Sequence, residues 1–242
     1  MELSVIVPVY NERGTILELL DRVRAVAVEK EIIVIDNRST DGTREIVQAI
    51  EYPEVRVILQ TANKQKGNSV KRGIAEARGE FMVIQDADLE YDPQDHVPML
   101  AEARRDDVLA AFGSRMLGAQ QRGQNLPTTV FSLGRGVLNR IFHLLYGSKL
   151  TDIATCYKMM RTSVARSLDL RCDGFDLDCE IASKLARLAA RRGQRIAEVP
   201  IGYTPRTVHE GKKITWRDGL TSLAAIWRYR SWQPDEGEGK AP

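Results

Sequence analysis

The sequence predicts an α/β protein built on a mostly parallel sheet that is flanked by helices, with a helical elaboration towards its C-terminus. Short apolar runs alternate with segments of helical periodicity along residues 1–112. Several runs are apolar at consecutive positions, which is typical of strands buried on both faces. Polar side chains, among them carboxylates, follow these runs directly. Ligands bind at that edge in open α/β sheets.

The predicted elements alternate regularly in the first half of the chain. Residues 39–41 are Ser, Thr and Asp, which often precede a helix because their side chains accept hydrogen bonds from its first backbone N–H groups. Gly79 is typical of the end of a helix. The predicted strands are 3–9, 31–35, 55–59, 81–85 and 108–112, and the predicted helices run through 16–23, 43–50, 68–77 and 93–104. This order is the signature of strand–helix–strand units around a parallel sheet.

The pattern changes after Gly113. Residues 116–127 are polar and rich in Gly and Gln, which predicts a long loop of the kind that often serves function. A helix is predicted at 128–146, a strand at 153–160, a helix at 178–191, a strand at 195–199 and a helix at 215–229. Residues 233–242 form an acidic tail that we expect to be disordered. With no repeat or linker, we predict one domain over 1–232.

Composition narrows the possible functions. The net charge of +2 and the 28% of charged residues are ordinary, so bulk charge does not indicate a nucleic-acid binder. The arginines between 187 and 195 lack interleaved aromatic residues, which favours a solvated helix face. Three cysteines without a Cys-x-x-Cys pair argue against a zinc site. Without a signal peptide or a spanning segment, we expect a cytoplasmic protein that is able to contact a membrane surface.

The most informative motif is Asp86-Ala87-Asp88, which follows the apolar run 81–84. Two carboxylates at a strand end suit a hard divalent cation, which in turn holds a diphosphate. Taken alone, the motif equally fits a polar turn. Glu12 and Asp36 follow two other strands, however, and strand ends in one sheet open on one crevice.

The remaining strand-end residues suggest a nucleotide. The dinucleotide fingerprint Gly-x-Gly-x-x-Gly does not follow the first strand, which argues against hydride transfer. Pro8 and Tyr10 are candidates to wall a base, and Asp36 can accept from a ring N–H. Lys66, beside Gly67, offers positive charge to a phosphate, although a solvated basic turn explains it as well.

With these motifs the chain resembles family 2 glycosyltransferases of the GT-A fold, and most of all the dolichol-phosphate and polyprenyl-phosphate mannosyl- and glucosyltransferases. The most specific matches are residues 85–93 and 210–214, and the resemblance extends over nearly the whole chain. Asn37 departs from the pattern, because relatives usually carry a second Asp there. A second departure is that the sequence shows no pattern for the C-terminal transmembrane helices that some relatives carry.

The resemblance implies a nucleotide-sugar donor, Mg²⁺ or Mn²⁺, and a lipid-phosphate acceptor. It assigns the nucleoside to Pro8, Tyr10, Glu12 and Asp36, and the metal to Asp86 and Asp88 with help from Gln85 or Glu90. Lys66, with Lys212 and Lys213 on a lid, would add positive charge at the diphosphate. Arg115, Arg135 and Ser132 would hold the acceptor phosphate, and Asp152 would orient the acceptor or act as a base.

The chemical nature of the acceptor distinguishes the alternative functions. A phosphate monoester is largely dianionic at neutral pH and needs no strong base, so we expect a single inverting displacement on a polyprenyl phosphate. A glycosyltransferase that acts on a hydroxyl of a soluble or polysaccharide acceptor would instead need a firm base near Asp152. A nucleotide-sugar-binding protein without turnover is a third reading. The helices at 128–146 and 215–229 carry apolar stripes with Trp and Arg, which fit either a membrane interface or a core or homodimer contact.

Overall fold

The computed structural model describes residues 1–124, 130–206 and 215–234, and the side chains of 130–132 are outside that description. The predicted lid lysines Lys212 and Lys213 therefore lie outside the described residues, as do the side chain of Ser132 and the tail from residue 235. Within the described ranges, no helix combines the length and apolar character that a membrane span requires.

One sheet of seven strands organises the described parts of the chain, in the order β3-β2-β1-β4-β6-β5-β7. The strands are β1 (Leu3–Val9), β2 (Lys30–Asp36), β3 (Val55–Leu59), β4 (Phe81–Ile84), β5 (Val108–Ser114), β6 (Lys158–Arg161) and β7 (Arg195–Pro200). Every pairing is parallel except those of β6, which runs antiparallel to β4 and to β5. The predicted mostly parallel sheet is confirmed.

Helices cover the sheet and extend it at the C-terminal end. They are α1 (Ile16–Arg24), α2 (Thr43–Gln48), α3 (Gln65–Glu76), α4 (His96–Ala103), α5 (Arg115–Gln121), α6 (Val130–Tyr146), α7 (Thr162–Ser167), α8 (Leu177–Arg192) and α9 (Trp216–Arg228), with 3₁₀ turns at Pro93–Asp95 and Tyr229–Ser231. Several of these helices pack their apolar faces on the sheet, whereas α6 and α9 pack mainly on α8 and on each other.

Strand register brings the predicted functional residues to one edge of the sheet. All four side chains of β4 are buried, and Ile84 pairs with Ile6 of β1. Val9, at the end of β1, pairs with Asp36 at the end of β2. The carboxyl ends of these three strands therefore open on the same side, and the segments that carry Glu12 and Asp86 leave the sheet there.

The predicted loop at 116–127 is wrong over its first part, because α5 occupies Arg115–Gln121. Ser114 caps this helix, since its Oγ accepts a hydrogen bond of 3.1 Å from the Leu117 N–H. Gly118 permits its close packing, as an added Cβ would lie 2.0 Å from the Ile201 carbonyl oxygen. The helix buries Gly118 and Ala119 instead of large apolar residues, so its periodicity was hidden.

The predicted strand at 153–160 is also shorter than expected. Only Lys158–Arg161 pairs with the sheet, and α7 follows it immediately, a helix that the sequence did not predict. The residues before β6 are buried but irregular, and their polar groups bond to neighbouring segments. The Tyr157 hydroxyl, for example, donates to Gln85 Oε1 at 2.6 Å. The segment before β6 was predicted as a strand because its residues have the apolar character of buried positions, although they do not pair with the sheet.

The packing of Gly118 generates a stability prediction. Gly118→Ala should lower the free energy of unfolding by about 2 kcal/mol or more, because the new methyl group meets backbone that cannot move aside. Gly219→Ala on α9 is the matched control, since a Cβ there has no atom within 4 Å. It should be neutral or stabilising by up to about 1 kcal/mol. Urea unfolding of the two variants tests this, and equal values would contradict the packing.

Candidate active site

The turn that follows β4 carries three carboxylates in five residues, 86–90. The Glu90 N–H donates to Asp88 Oδ1 at 3.1 Å, and Leu89 adopts a left-handed φ of 62°. This backbone conformation is uncommon for a residue with a side chain. It closes the turn tightly and keeps Asp88 and Glu90 close to each other.

The electrostatics of this turn fit a divalent cation. Burial, together with the negative charges of Asp86 and Glu90, raises the pKa of Asp88 to about 7. A bound cation would relieve the repulsion that causes this shift, and oxygen ligands suit Mg²⁺ and Mn²⁺. Among the described residues, no group of three His, Cys, Asp or Glu side chains forms a metal site of its own. Asp86 and Asp88 can contribute two oxygen ligands to such a cation.

Lys66 contacts the same turn. Its Nζ lies 2.7 Å from Asp86 Oδ1 and 3.8 Å from Asp178 Oδ2. Asp178 in turn accepts from the buried Lys158, whose Nζ is 2.9 Å from Oδ1. Burial alone would lower the pKa of Lys66, but Asp86 and Asp178 outweigh it and hold that pKa well above its usual range. The result is a row of alternating charges from Asp86 to Lys158.

Gln85 supports the turn that carries Asp86 and Asp88. It is fully buried, its Oε1 accepts from Tyr157, and its Nε2 donates to the Asp86 carbonyl at 3.0 Å. Both ends of the amide are thus engaged within the protein. Gln85 therefore fixes the strand end in this structure. The predicted help of Gln85 or Glu90 in holding the metal stays a prediction, since the Glu90 oxygens also accept, from the Tyr203 hydroxyl and the Arg206 N–H.

A cavity of about 500 Å³ adjoins the turn. Its lining is formed by Asn11, Glu12, Arg13, Gly14, Thr15, Asp41, Asp88, Leu89, Thr204, Pro205 and Arg206. The structure thus brings together Glu12 and Asp88 from the predicted set. The half-buried Pro8 and Tyr10 do not line this cavity, and their predicted contacts with a base stay predictions.

Asp36 is enclosed by the turn that follows β2. The side chain is fully buried, and its oxygens accept from the backbone N–H groups of Arg38 at 3.1 Å and Ser39 at 3.2 Å. The Arg44 guanidinium adds a contact of 2.6 Å. Because these donors surround the carboxylate, Asp36 shapes the turn after β2 in this structure, and its predicted contact with the nucleoside stays a prediction. The pattern of strand ends could not reveal that arginine partner.

Arg206 is a site residue that the sequence did not single out. Its guanidinium lies 2.9 Å from Glu12 Oε2, its Nε donates to the Asp88 carbonyl at 2.8 Å, and its backbone N–H donates to Glu90 Oε1 at 2.7 Å. It therefore joins the first strand end to the carboxylate turn across the cavity. The available signal was the basic character of residues 204–214, which drew attention to Lys212 and Lys213 instead.

A second cluster lies at the end of β5, around Arg115. The guanidinium makes two hydrogen bonds of 2.7 Å to the carboxylate of Asp152, which is fully buried. Burial raises the pKa of Asp152, but Arg115 more than offsets this and leaves the pKa below its usual value. A lowered pKa makes this carboxylate a weak base, and both of its oxygens already accept hydrogen bonds from Arg115. The geometry therefore favours a role for Asp152 in positioning Arg115, and its predicted roles in orienting the acceptor or acting as a base stay predictions.

Arg135 reaches the same region from α6. It is half-buried, and its Nη2 lies 3.2 Å from Met116 Sδ. Burial and the nearby charge of Arg115 lower the pKa of Arg135. Met116 is the chain neighbour of Arg115, so Arg135 contacts the segment that carries the other predicted arginine. Arg135 thus lies next to the start of α5, and a shared contact of the two arginines with a phosphate stays a prediction.

Glu198 on β7 organises the backbone beneath this cluster. Its carboxylate accepts from the N–H groups of Thr151 at 2.8 Å and Asp152 at 3.0 Å. From α6, the Asn139 side chain donates to the Thr151 carbonyl and accepts from the Ile153 N–H at 3.2 Å. His143, one turn further along α6, contacts the Leu150 carbonyl at 2.6 Å. These bonds fix α6 against residues 150–153 and hold the two arginines at one edge.

Comparison with known proteins gives consistent matches. Residues 4–169 match the family described as Glycosyl transferase family 2. The chain is 31% identical to a dolichol-phosphate mannosyltransferase of Pyrococcus furiosus, over 96% of this chain and 65% of that protein. It is also 31% identical to an undecaprenyl-phosphate mannosyltransferase of Micrococcus luteus, over 88% of this chain and 87% of that protein.

Solved structures share the fold. Glucosyl-3-phosphoglycerate synthase from Mycobacterium tuberculosis, in complex with UDP, superimposes with a TM-score of 0.69 at 20% identity, over 98% of this chain and 82% of that chain. A second structure of that synthase, with Mn²⁺, UDP and phosphoglyceric acid, has a TM-score of 0.68. At this identity the likeness concerns the fold, and it confirms the predicted GT-A architecture.

The Arg115–Asp152 pair generates a second prediction. Asp152→Asn should lower the free energy of unfolding by about 3 kcal/mol or more, because it leaves a buried guanidinium without its counter-charge. Asp107→Asn is the control, since its ion pair with Arg195 is exposed and such pairs contribute little.

Acid should reduce the difference between wild type and Asp152→Asn. Arg115 holds the pKa of Asp152 low, so the wild type keeps this contribution above the unfolded-state pKa of about 3.9 and loses it as pH falls through the folded value. Urea unfolding from neutral pH to about pH 3 checks both statements. A constant difference over that range would contradict the ion-pair explanation.

Proposed function

The chain belongs to glycosyltransferase family 2, and from that premise we propose that it transfers a hexose from a nucleotide sugar to a polyprenyl phosphate at a membrane surface. The observation that carries the proposal is the pairing of two charged centres at one edge of the sheet. The carboxylates at 86–90 suit the donor, and the region around Arg115 and Arg135 suits an anionic acceptor.

The donor side requires a place for a nucleotide and for its diphosphate. The cavity of about 500 Å³ next to Glu12 and Asp88 has the size of a small-ligand pocket. Asp86 and Asp88 would hold Mg²⁺ or Mn²⁺, which when bound stabilises negative charge on the leaving diphosphate. Relatives named as mannosyltransferases support mannose as the transferred hexose, and GDP-mannose and UDP-glucose both stay candidate donors. Lys212 and Lys213 remain the predicted lid.

The acceptor side supports a phosphate more than a hydroxyl. A hydroxyl acceptor would need a base, and Asp152, which was the candidate, is enclosed by its bonds to Arg115. An ionised oxygen of a phosphate monoester is itself the nucleophile, so the protein needs to orient the dianion but does not need to remove a proton from it. Arginine side chains bind phosphate oxygens in pairs and do so without losing their charge. Direct attack by the phosphate predicts inversion at the anomeric carbon, and Ser132 stays a predicted additional contact.

The proposed lipid acceptor requires an apolar surface close to Arg115 and Arg135. Six large apolar side chains on α6 and α9 are exposed, namely Leu133, Val137, Leu144, Trp216, Leu220 and Trp227. Tyr146 of α6 donates to the Ile226 carbonyl of α9 at 2.7 Å, which ties the two helices together. Tryptophan and arginine on such helices favour a membrane interface. Because Arg135 lies on α6, a phosphate bound there would lead its lipid chain towards this surface.

The transfer reaction gives the first test. Wild-type protein, a divalent cation, radiolabelled GDP-mannose or UDP-glucose and polyprenyl phosphate should move label into the organic phase. Asp88→Asn should reduce this by at least about 100-fold, the scale expected when charge stabilisation of the leaving group is lost. Asp107→Asn, at the opposite edge of the sheet, should retain wild-type transfer. Label that moves only to water or to a soluble sugar would contradict the lipid acceptor.

The exposed surface gives the second test. The double variant Trp216→Ala and Trp227→Ala should co-sediment several-fold less with anionic liposomes than wild type, because it loses two interfacial anchors. Trp232→Ala is the control, since Trp232 is half-buried against Lys184. Sedimentation velocity without lipid distinguishes a homodimer, which is the other explanation of the surface. A dimer that the same double variant dissociates would argue against the membrane assignment.

A further inference from the structure

Lys66 occupies a position that the donor site alone does not explain. Its side chain is 15% exposed and its Nζ lies between two carboxylates, 2.7 Å from Asp86 Oδ1 and 3.8 Å from Asp178 Oδ2. Asp86 is a proposed cation ligand, whereas Asp178 belongs to the first turn of α8. One ammonium group is therefore within reach of two alternative partners.

A cation on Asp86 would compete with this ammonium group. Mg²⁺ coordinates carboxylate oxygens at about 2.0–2.1 Å, closer than the lysine nitrogen lies. The Asp86 side chain is only 21% exposed, so water screens the repulsion between the two positive groups incompletely. Lys66 and a divalent cation consequently cannot both hold Asp86 at full strength.

Asp178 is prepared to receive the displaced ammonium. Its Oδ1 is held by Lys158 at 2.9 Å, and Lys158 is fully buried, so the carboxylate is fixed in place. Oδ2 is directed towards Lys66. A movement of about 1 Å would bring Nζ into hydrogen-bond distance of it, which lysine achieves by rotating its flexible stem.

The backbone around Lys66 confines such a movement to the side chain. A Cβ added at Gly67 would lie 2.7 Å from the Asp173 carbonyl carbon, so the start of α3 packs directly against that segment. The Asn68 N–H also donates to the Asp173 carbonyl at 3.2 Å. The helix start is therefore pinned while the ammonium stays within reach of both carboxylates.

We propose that Lys66 is an exchangeable counter-ion of the donor site. It neutralises Asp86 while the site is empty, and its ammonium moves to Asp178 when a cation binds. The cation alone then binds weakly because it must displace Lys66, and it binds more tightly together with a diphosphate, whose negative charge offsets that displacement. The identity of the donor rests on the proposed function, whereas the exchange concerns only the cation and this chain.

Titration of the nucleotide-free protein with Mn²⁺, followed by the electron paramagnetic resonance of free Mn²⁺, tests the exchange. Lys66→Gln should bind Mn²⁺ alone about fivefold more tightly or better, because it removes a competing unit charge a few ångströms away. Lys66→Arg retains the charge and should stay close to wild type. Lys71→Gln is the control, since Lys71 lies on the same helix but pairs with Asp173 at 2.8 Å. Wild-type affinity in folded Lys66→Gln would overturn the proposal.

A double-mutant cycle separates exchange from general charge effects. Asp178→Asn should weaken Mn²⁺ binding about threefold or more in the wild-type background, because the displaced ammonium loses its second partner. The same change should have little effect in a Lys66→Gln background. Equal losses in both backgrounds would mean that Asp178 acts only through its own charge, and would overturn the exchange. Thermal unfolding confirms that each variant is folded.

These titrations are independent of the sugar-transfer assay. They need neither a donor nor an acceptor, so their result stands whichever sugar or lipid the wild type uses. A wild-type protein that fails to transfer sugar would refute the proposed function, while the Mn²⁺ affinities of the Lys66 and Asp178 variants would still decide the exchange.

Discussion

Compensation of buried charge is the interaction on which the arrangement of this site depends. Charged groups that are largely buried are stable only when they pair with an opposite charge or make several hydrogen bonds. Asp86 is accompanied by Lys66, Asp152 by Arg115, and Glu12 by Arg206. Each pair joins segments that are distant in the chain, so satisfying the charges also fixes the relative positions of the strand ends. The geometry of the site and the stability of its edge of the sheet therefore have a common cause.

Most of the fold could be predicted because the relevant signals are local. Consecutive apolar residues in 81–84 and 31–35 predicted buried strands, and the alternation with helical periodicity predicted a parallel sheet. The errors fell where tertiary packing outweighs local pattern. The helix α5 buries Gly118 against backbone instead of a stripe of large apolar residues, and the segment before β6 is buried by side-chain hydrogen bonds without pairing.

The site could be predicted in position but only partly in the roles of its residues. Carboxylates at strand ends predicted Glu12, Asp86 and Asp88 as site residues, because the strand ends of one sheet share an edge. The partners of Asp36, Asp152 and Gln85 come from elsewhere in the chain, and no local pattern shows that Arg44, Arg115 or Tyr157 will reach them. Arg206 was missed for the same reason, since its importance comes from contacts with residues far earlier in the sequence.

The attachment of α6 has a consequence for how such proteins diverge. Asn139 and His143, one turn apart, bind the backbone at 150–153, and backbone groups are present whatever side chains that segment carries. The exposed face of the helix, with Leu133, Val137 and Leu144, takes no part in this attachment. Substitutions on the outer face can therefore change its surface chemistry while the inner face keeps its register. Asn139 and His143 thus fix the position of α6 independently of the residues on its outer face.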